Sequence, residues 1–345
     1  MTTIKDISRE AGVSMAVVSV VLNNITTGRI KASAATAERI RNIARRLAYR
    51  PNLVARQLTG KKSGIIGVVM DSCSSQVYYD RLSKMEIHAA SKGYRFMIGQ
   101  AHNDVDKIKD YAQFFAGYAV DGIICMAHDY PAVDGKCSSG IAEFFTERCR
   151  TVFLKKPSEI ADCYSVTIDL AYNFHEAVRY LASTGRKKIA FFKLSGFYEG
   201  STMSIAESGY RKGLDEAGLK FDPRLVKSTE VEHMKLYEKL EKQVRELQKA
   251  GVDAIIAVND FIAAGVLKCL QLSGVKVPDE IAVVGCDNLD IAGLVHPGLT
   301  TFDQNNDQVA VRLVDLLADL IENRPVTQSD GNIVIRPTMI KRESA

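Results

Sequence analysis

Residues 3–23, TIKDISREAGVSMAVVSVVLN, decide how the chain begins to fold. Thr3 can cap a helix with its hydroxyl while Asp6, three residues on, supplies the acid, and Ile4, Ile7 and Ala11 then share one face. Gly12 breaks that helix. Ser14 can cap a second one, in which Val17, Val18, Val21 and Leu22 form an apolar stripe and Met15, Ala16, Ser19 and Val20 look outward. Two helices around the turn Ala11-Gly12-Val13-Ser14 make a helix-turn-helix. Further along, Ser33 caps a predicted third helix whose Ile40, Ile43, Ala44 and Leu47 can close a three-helix core. Pro51 ends the module, because the residue before a proline is pushed out of the helical region. Asn52 can cap the short segment Leu53 to Leu58 ahead of the linker Gly60-Lys61-Lys62-Ser63-Gly64. So short a helix is not stable in isolation, so the segment is expected to order only when something packs on it.

The charge divides at the same place. The 345 residues sum to +4, yet residues 1–62 hold twelve basic and three acidic side chains, +9, which leaves −5 on the rest. A basic module on a near-neutral body is where a polyanion would sit. With 46% hydrophobic and 25% charged residues the chain reads as soluble and globular, not disordered or collagenous. No run approaches the roughly 18 apolar residues of a membrane span, and Met1 to Asp6 lack the apolar region of a signal peptide. Seven cysteines without a Cys-x-x-Cys pair favour neither a disulfide framework nor a zinc site. The expected setting is cytoplasmic, with no cofactor and no membrane partner.

From Ile65 onward, strand-sized apolar runs (65–70, 94–98, 120–126, 151–154, 188–192, 253–258 and 281–284) alternate with amphipathic helical stretches such as 79–91, 174–183, 235–250 and 260–272. This alternation predicts parallel sheets with helices on both faces. About 280 residues exceed one comfortable core. Two similar α/β lobes with a ligand cleft at the carboxyl ends of the strands are the natural solution.

Thr3-Ile4-Lys5-Asp6-Ile7, Ala11-Gly12-Val13-Ser14, Val21-Leu22-Asn23, Tyr49-Arg50-Pro51-Asn52 and Val54-Ala55-Arg56-Gln57-Leu58 resemble the headpiece and hinge of the lactose/galactose repressor family of bacterial transcription regulators. The match continues through Val120-Asp121-Gly122-Ile123-Ile124, Ala257-Val258-Asn259-Asp260, Val277 to Gly285, Leu299-Thr300-Thr301 and Arg336-Pro337-Thr338, in order along essentially the whole chain. The resemblance implies an all-α helix-turn-helix headpiece (1–49), a hinge helix and linker (50–62), and a two-lobed core similar to periplasmic binding proteins, with parallel sheets. Its first lobe is expected from 63–165 plus 299–326 and its second from 166–298 plus 327–345. It further implies double-stranded operator DNA, a small-molecule effector such as a sugar or related metabolite, and a homodimer or higher homo-oligomer. Two joined headpieces read a pseudo-palindromic site with high effective concentration.

On the DNA side the resemblance assigns Thr3, Ser14, Met15, Ala16, Ser19, Val20, Asn23, Arg29, Asn52, Val54, Ala55 and Leu58. Here the chain departs from its relatives, because Met15, Ala16 and Val20 stand where polar or basic side chains are frequent. None can make the bidentate hydrogen bonds that discriminate guanine or adenine. Thymine methyl contacts, with Ser19, Asn23 or Asn24 as hydrogen-bonding groups, point to half-sites rich in A·T at these steps. Leu58 matches the hinge leucine that wedges between base pairs in the minor groove; the plainer reading is a linker residue packing on the core. For Arg29, Arg50, Arg56 and Lys61 a solvated basic face is the plain alternative to phosphate contact, and collectively the +9 module predicts affinity that falls steeply with salt.

On the effector side it assigns Asp71, Tyr78, Asp169, Asn259, Asp260 and Asp287. Asp287 is an acceptor suited to ligand hydroxyls or amines, whereas Asp260 and Asp169 could equally cap the helices that follow them. Tyr78 or Tyr79 could stack on a ligand ring or lie in the core. The second-lobe arginine found in many relatives falls at Ala206, and tryptophan is absent from the chain, so Phe192, Phe197 or Tyr198 would have to stack on a sugar. An enzyme is disfavoured, because the chain lacks Gly-x-Gly-x-x-Gly, Gly-x-Ser-x-Gly and His-Glu-x-x-His. A ligand sensor whose headpiece no longer reads a specific sequence is the second alternative, suggested by the apolar recognition face.

Overall fold

The structure is a computed structural model, and it describes residues 2–22, 30–49, 62–70, 76–101, 104–127, 150–156, 163–195, 202–229, 236–327 and 330–345. It divides into two compact units, residues 1–63 and 64–345. The expected hinge segment lies outside the described residues.

In the first unit, α1 (Ile4–Ala11) starts on the predicted capping box: Asp6 N–H donates to the Thr3 hydroxyl at 3.3 Å, and Thr3 N–H donates to Asp6 Oδ2 at 2.9 Å. Gly12 ends it at φ 65°, a left-handed turn that costs glycine little. Ser14 caps α2 (Met15–Leu22) by accepting from Val17 N–H, and Ser33 caps α3 (Ala34–Arg46) by accepting from Thr36 N–H. Ile7, Ala11, Val18, Val21, Ile40, Ile43 and Ala44 meet in one buried core. Each large aliphatic among them gains roughly 1.5–3 kcal/mol on burial, enough to hold three short helices that would not stand alone.

The second unit carries two parallel sheets. The first lobe's strands are β1 (Ile65–Met70), β2 (Arg95–Gln100), β3 (Gly122–Cys125), β4 (Thr151–Phe153), β5 (Tyr164–Ile168) and β11 (Asn332–Ile335), in the order β11-β5-β4-β3-β1-β2. Helices α4 (Gln76–Ser91) and α5 (Val105–Gly117) follow β1 and β2. The second lobe's sheet, in the order β7-β6-β8-β9, contains β6 (Ile189–Leu194), β7 (Val226–Thr229), β8 (Ala254–Ala257) and β9 (Ala282–Val284). Around it lie α6 (Leu170–Ser183), α7 (Thr202–Glu216), α8 (Leu236–Lys249) and α9 (Asp260–Leu272), followed by the single turn α10 (Ile291–Leu294). β1, β3, β4, β8 and β9 are runs buried on both faces, as a parallel sheet between helices requires, whereas the edge strands β2, β7 and β11 are part-exposed.

Two crossover strands, β10 (Thr301–Asp303) and β12 (Thr338–Ile340), pair antiparallel, with Thr301 opposite Ile340. Between them α11 (Asn306–Ile321) buries Val309, Leu313, Val314 and Leu317 in the first lobe's core. Two expected boundaries need correction. β5 is a strand of the first sheet, so the break expected at 165/166 cuts through it and belongs after Ile168. β11 pairs parallel with β5, Asn332 opposite Ser165, so the first lobe runs on past 326 to Ile335. The reason is physical: β11 is a four-residue edge strand with Val334 mostly exposed, and its partner β5 lies more than 160 residues away in the sequence.

Candidate functional site

On the headpiece, the amino end of α2 presents Met15, 54% exposed, and Ala16, also exposed, while Ser19 and Val20 are half-buried. Val18 and Val21 of the same helix point into the core, so the outward face is fixed by packing. Lys5, Arg9, Lys31, Arg39, Arg41, Arg45 and Arg46 are all exposed, and Arg46 pairs with Glu10. Thr3 is exposed but occupied by its capping box, and Ser14 by its cap. Asn23, Arg29, Asn52, Val54, Ala55 and Leu58 lie outside the described residues.

In the core, Asp169, Asn259, Asp260 and Asp287 lie just past the carboxyl ends of strands, where open α/β sheets bind ligands. Asp287 follows β9, only 5% exposed and at φ 111°. Its N–H donates to Phe302 O at 2.9 Å, which fixes the turn to the crossover strand. Its Oδ1 accepts from Gln304 Nε2 at 2.5 Å. Gln304 Oε1 in turn accepts from Arg81 Nη2 at 3.0 Å. Asn306 Oδ1 accepts from Arg81 Nε at 3.1 Å and from Nη2 at 2.8 Å, and Asn306 Nδ2 donates to Asp80 Oδ2 at 3.0 Å. A first-lobe guanidinium, 1% exposed, is thus chained to a second-lobe carboxylate through one amide. Burial lowers the arginine's pKa, and the nearby Tyr78, Asp287 and Asp80 oppose that shift.

Arg81, Gln304 and Asn306 were not foreseen from sequence. A signal was present: Val77, Arg81, Met85 and Ala89 recur every fourth residue on the buried face of α4, and an arginine in that stripe is an anomaly. Tyr78 lies half-buried against the first-lobe core, with the Arg81 guanidinium 5.2 Å over its ring. Asp71 lies outside the described residues.

Asn259 and Asp260, just past β8, divide their work differently from the expectation. Asn259, not Asp260, caps α9, accepting from Ile262 N–H at 2.8 Å. Asp260 is wholly buried and ties the neighbouring loops: Leu289 N–H donates to its Oδ2 at 2.8 Å and the Thr301 hydroxyl to its Oδ1 at 2.5 Å. Gly285 must be glycine here, because a Cβ would collide with that carboxylate. Burial pushes the Asp260 carboxyl up to about 6, against the pull of those hydrogen bonds. Asp169 takes the capping role for α6, accepting from Tyr172 N–H at 2.9 Å, with Arg336 3.9 Å away.

Phe192 is fully buried in the second-lobe core, so the expectation that it could stack on a sugar is corrected; Phe197 and Tyr198 lie outside the described residues. Ala206 is likewise buried in that core. Asn173, on α6, is buried with its Oδ1 unpartnered among the described residues and its Nδ2 3.7 Å from Cys286 Sγ, which Gln304 Nε2 also reaches at 3.7 Å. Among the described residues no cluster of His, Cys, Asp and Glu could hold a metal ion, and no helix is long and apolar enough to cross a membrane.

The family model described as bacterial regulatory proteins, lacI family, matches residues 3–52, and that of the periplasmic binding protein-like domain matches residues 178–345. Over residues 3–52 the chain is thus similar to bacterial regulatory proteins of the lacI family. Similar to this chain throughout its length is the HTH-type transcriptional regulator DegA of Bacillus subtilis (strain 168), 29% identical over 343 residues that cover 99% of this chain and 98% of that protein. The HTH-type transcriptional repressor PurR of Pasteurella multocida (strain Pm70) is 28% identical over 349 residues, covering 99% and 100%. Among solved structures, the lac repressor dimer bound to operator and the anti-inducer ONPF matches with TM-score 0.83 at 24% identity, covering 99% of this chain and 98% of that one. This likeness shows that headpiece and core share the fold of that repressor.

Proposed function

We propose that this chain is a lacI-family transcription regulator, a repressor that binds a pseudo-palindromic operator as a homodimer or higher homo-oligomer, with its operator affinity set by a small hydroxylated metabolite held between the two core lobes. The observation that carries the reading is the buried Asp287 carboxylate at the end of a second-lobe strand, joined through Gln304 to a first-lobe arginine. A ligand that engages Asp287 therefore acts on the element linking the lobes. It can change operator affinity only by binding the two lobe arrangements unequally. The named relatives agree in kind: one solved neighbour is a lac repressor dimer on operator, and another is a regulator in complex with cellobiose. No catalytic role is proposed; the relatives are transcriptional regulators.

Thr3, Ser14, Met15, Ala16, Ser19 and Val20 form the described part of the proposed DNA surface, with Asn23, Arg29, Asn52, Val54, Ala55 and Leu58 completing it. Asp287 is the proposed ligand carboxylate. Tyr78 stands on the first-lobe side, and Asp71 is proposed as an effector contact with it; Asn259 and Asp169 hold helix starts through their caps, and Asp260 ties the loops at Leu289 and Thr301. The exposed Met15 and Ala16 favour one second reading, a ligand sensor without specific operator recognition. Selection from random duplex DNA at physiological salt separates the two. The repressor reading expects an enriched pseudo-palindrome whose half-sites are A·T-rich opposite Met15, Ala16 and Val20; enrichment of none favours the sensor.

A further inference from the structure

We propose that Arg81 sets the chemical class of the effector: an oxyanion carried on a hydroxylated skeleton, as in a sugar acid or a sugar phosphate, with the oxyanion on Arg81 and a hydroxyl on Asp287. The inference rests on the reading of Asp287 as the effector carboxylate. Arg81 occupies a position on α4 flanked by Val77 and Met85, where an aliphatic side chain would be buried at no electrostatic cost. Its Nε and Nη2 donate to the amide oxygens of Asn306 and Gln304, neutral acceptors that orient the fork without neutralising it. None of the described residues accepts from Nη1. Asp287, the carboxylate beside it, is kept from direct pairing by the Gln304 amide, which accepts from one charge and donates to the other.

A buried cation and a buried anion, held apart by a neutral spacer, suit a ligand that brings one group for each. A planar guanidinium recognises carboxylate and phosphate oxygens through parallel hydrogen bonds. A neutral sugar entering here would leave the buried cation with its carboxylates, Asp287 and Asp80, each held off by one amide, and with no anionic acceptor bonded to it directly. That is a costly arrangement for a buried charge.

The test is calorimetric titration of the full chain with matched probes: D-glucose, D-glucuronate and D-glucose 6-phosphate, and D-galactose with D-galacturonate. At least one acid or phosphate is expected to bind, with its neutral parent about tenfold weaker or more. Carboxylate against phosphate binding tells which oxyanion is taken. Arg81→Met should lose about tenfold or more of the anion's affinity and little of the neutral sugar's, whereas Arg81→Lys, which keeps the charge, should retain part of it. Circular dichroism of both variants checks the fold. Neutral sugars binding as tightly as their acids, an Arg81→Met variant that holds the acid unchanged, or no anionic probe binding at all would each overturn the proposal. Asp287→Asn distinguishes the two levels. Neutral-sugar binding that depends on Asp287 but not Arg81 leaves the cleft reading intact and removes only this inference, whereas silence of every probe, neutral or charged, counts against both.

Discussion

Asp260 shows how one buried carboxyl records the geometry around it. With its pKa pushed up to about 6 from an ordinary 3.8, the folded protein holds this proton more tightly than the unfolded chain does. Its stabilising share is therefore fully present below about pH 4 and is lost as pH rises to about 6, by on the order of 3 kcal/mol. Asp260→Asn cannot ionise. Between pH 4 and pH 7 the difference in unfolding free energy between variant and wild type should move in the variant's favour by on the order of 2–3 kcal/mol, read from urea unfolding at each pH. A difference that stays flat would mean that the ionised carboxylate costs nothing where it sits. At this scale the sequence was legible where partners are close in the chain. The caps of Thr3, Ser14 and Ser33 were all read correctly, since each bonds within three residues. Arg81 was missed because its partners, Gln304 and Asn306, lie more than two hundred residues away. Between Asn259 and Asp260, adjacent residues able to cap the same helix, only the fold chooses.

Among the elements, α6 and α7 show packing that side-chain size alone decides. Gly209 and Gly213, one turn apart on α7, let the helix backbones approach so closely that a Cβ at Gly209 would overlap Ala171 O, and one at Gly213 would sit 2.8 Å from Val178 Cβ. Tyr210, between them, is buried, stacks on Phe191 at 5.0 Å and donates its hydroxyl to Ile189 O, so α7 has no room to rotate. Gly209→Ala should cost about 3 kcal/mol, the upper end for overpacking, because the obstruction is backbone. Gly117→Ala is the control: nothing lies within 4 Å, and it should be neutral or stabilising by about 0.5–1 kcal/mol. Urea midpoints of the two variants check both, and equal midpoints would contradict the close approach. The strongly apolar strands of both sheets were legible because burial on two faces writes a continuous run. β7, β10, β11 and β12 were not, being three- or four-residue strands whose pairing is set by partners distant in sequence.

For the whole molecule, the division of charge seen in the sequence matches a division of material. Every described headpiece cation is exposed, while the core buries opposite charges, Arg81 and Asp287, on either side of an amide. The two lobes were predictable from alternating β and α units, but their boundary was not, because the chain crosses between them three times and the last crossing follows a weak edge strand. The central claim is that a ligand at Asp287 controls the headpiece's hold on DNA. The most direct test is a fluorescence-anisotropy titration of the selected operator with the full chain, wild type and Asp287→Asn, with and without the tightest-binding probe of the sugar panel. The account predicts that the probe shifts the operator Kd of wild type by about fivefold or more and leaves the variant's Kd unchanged. An equal shift in both proteins would contradict it.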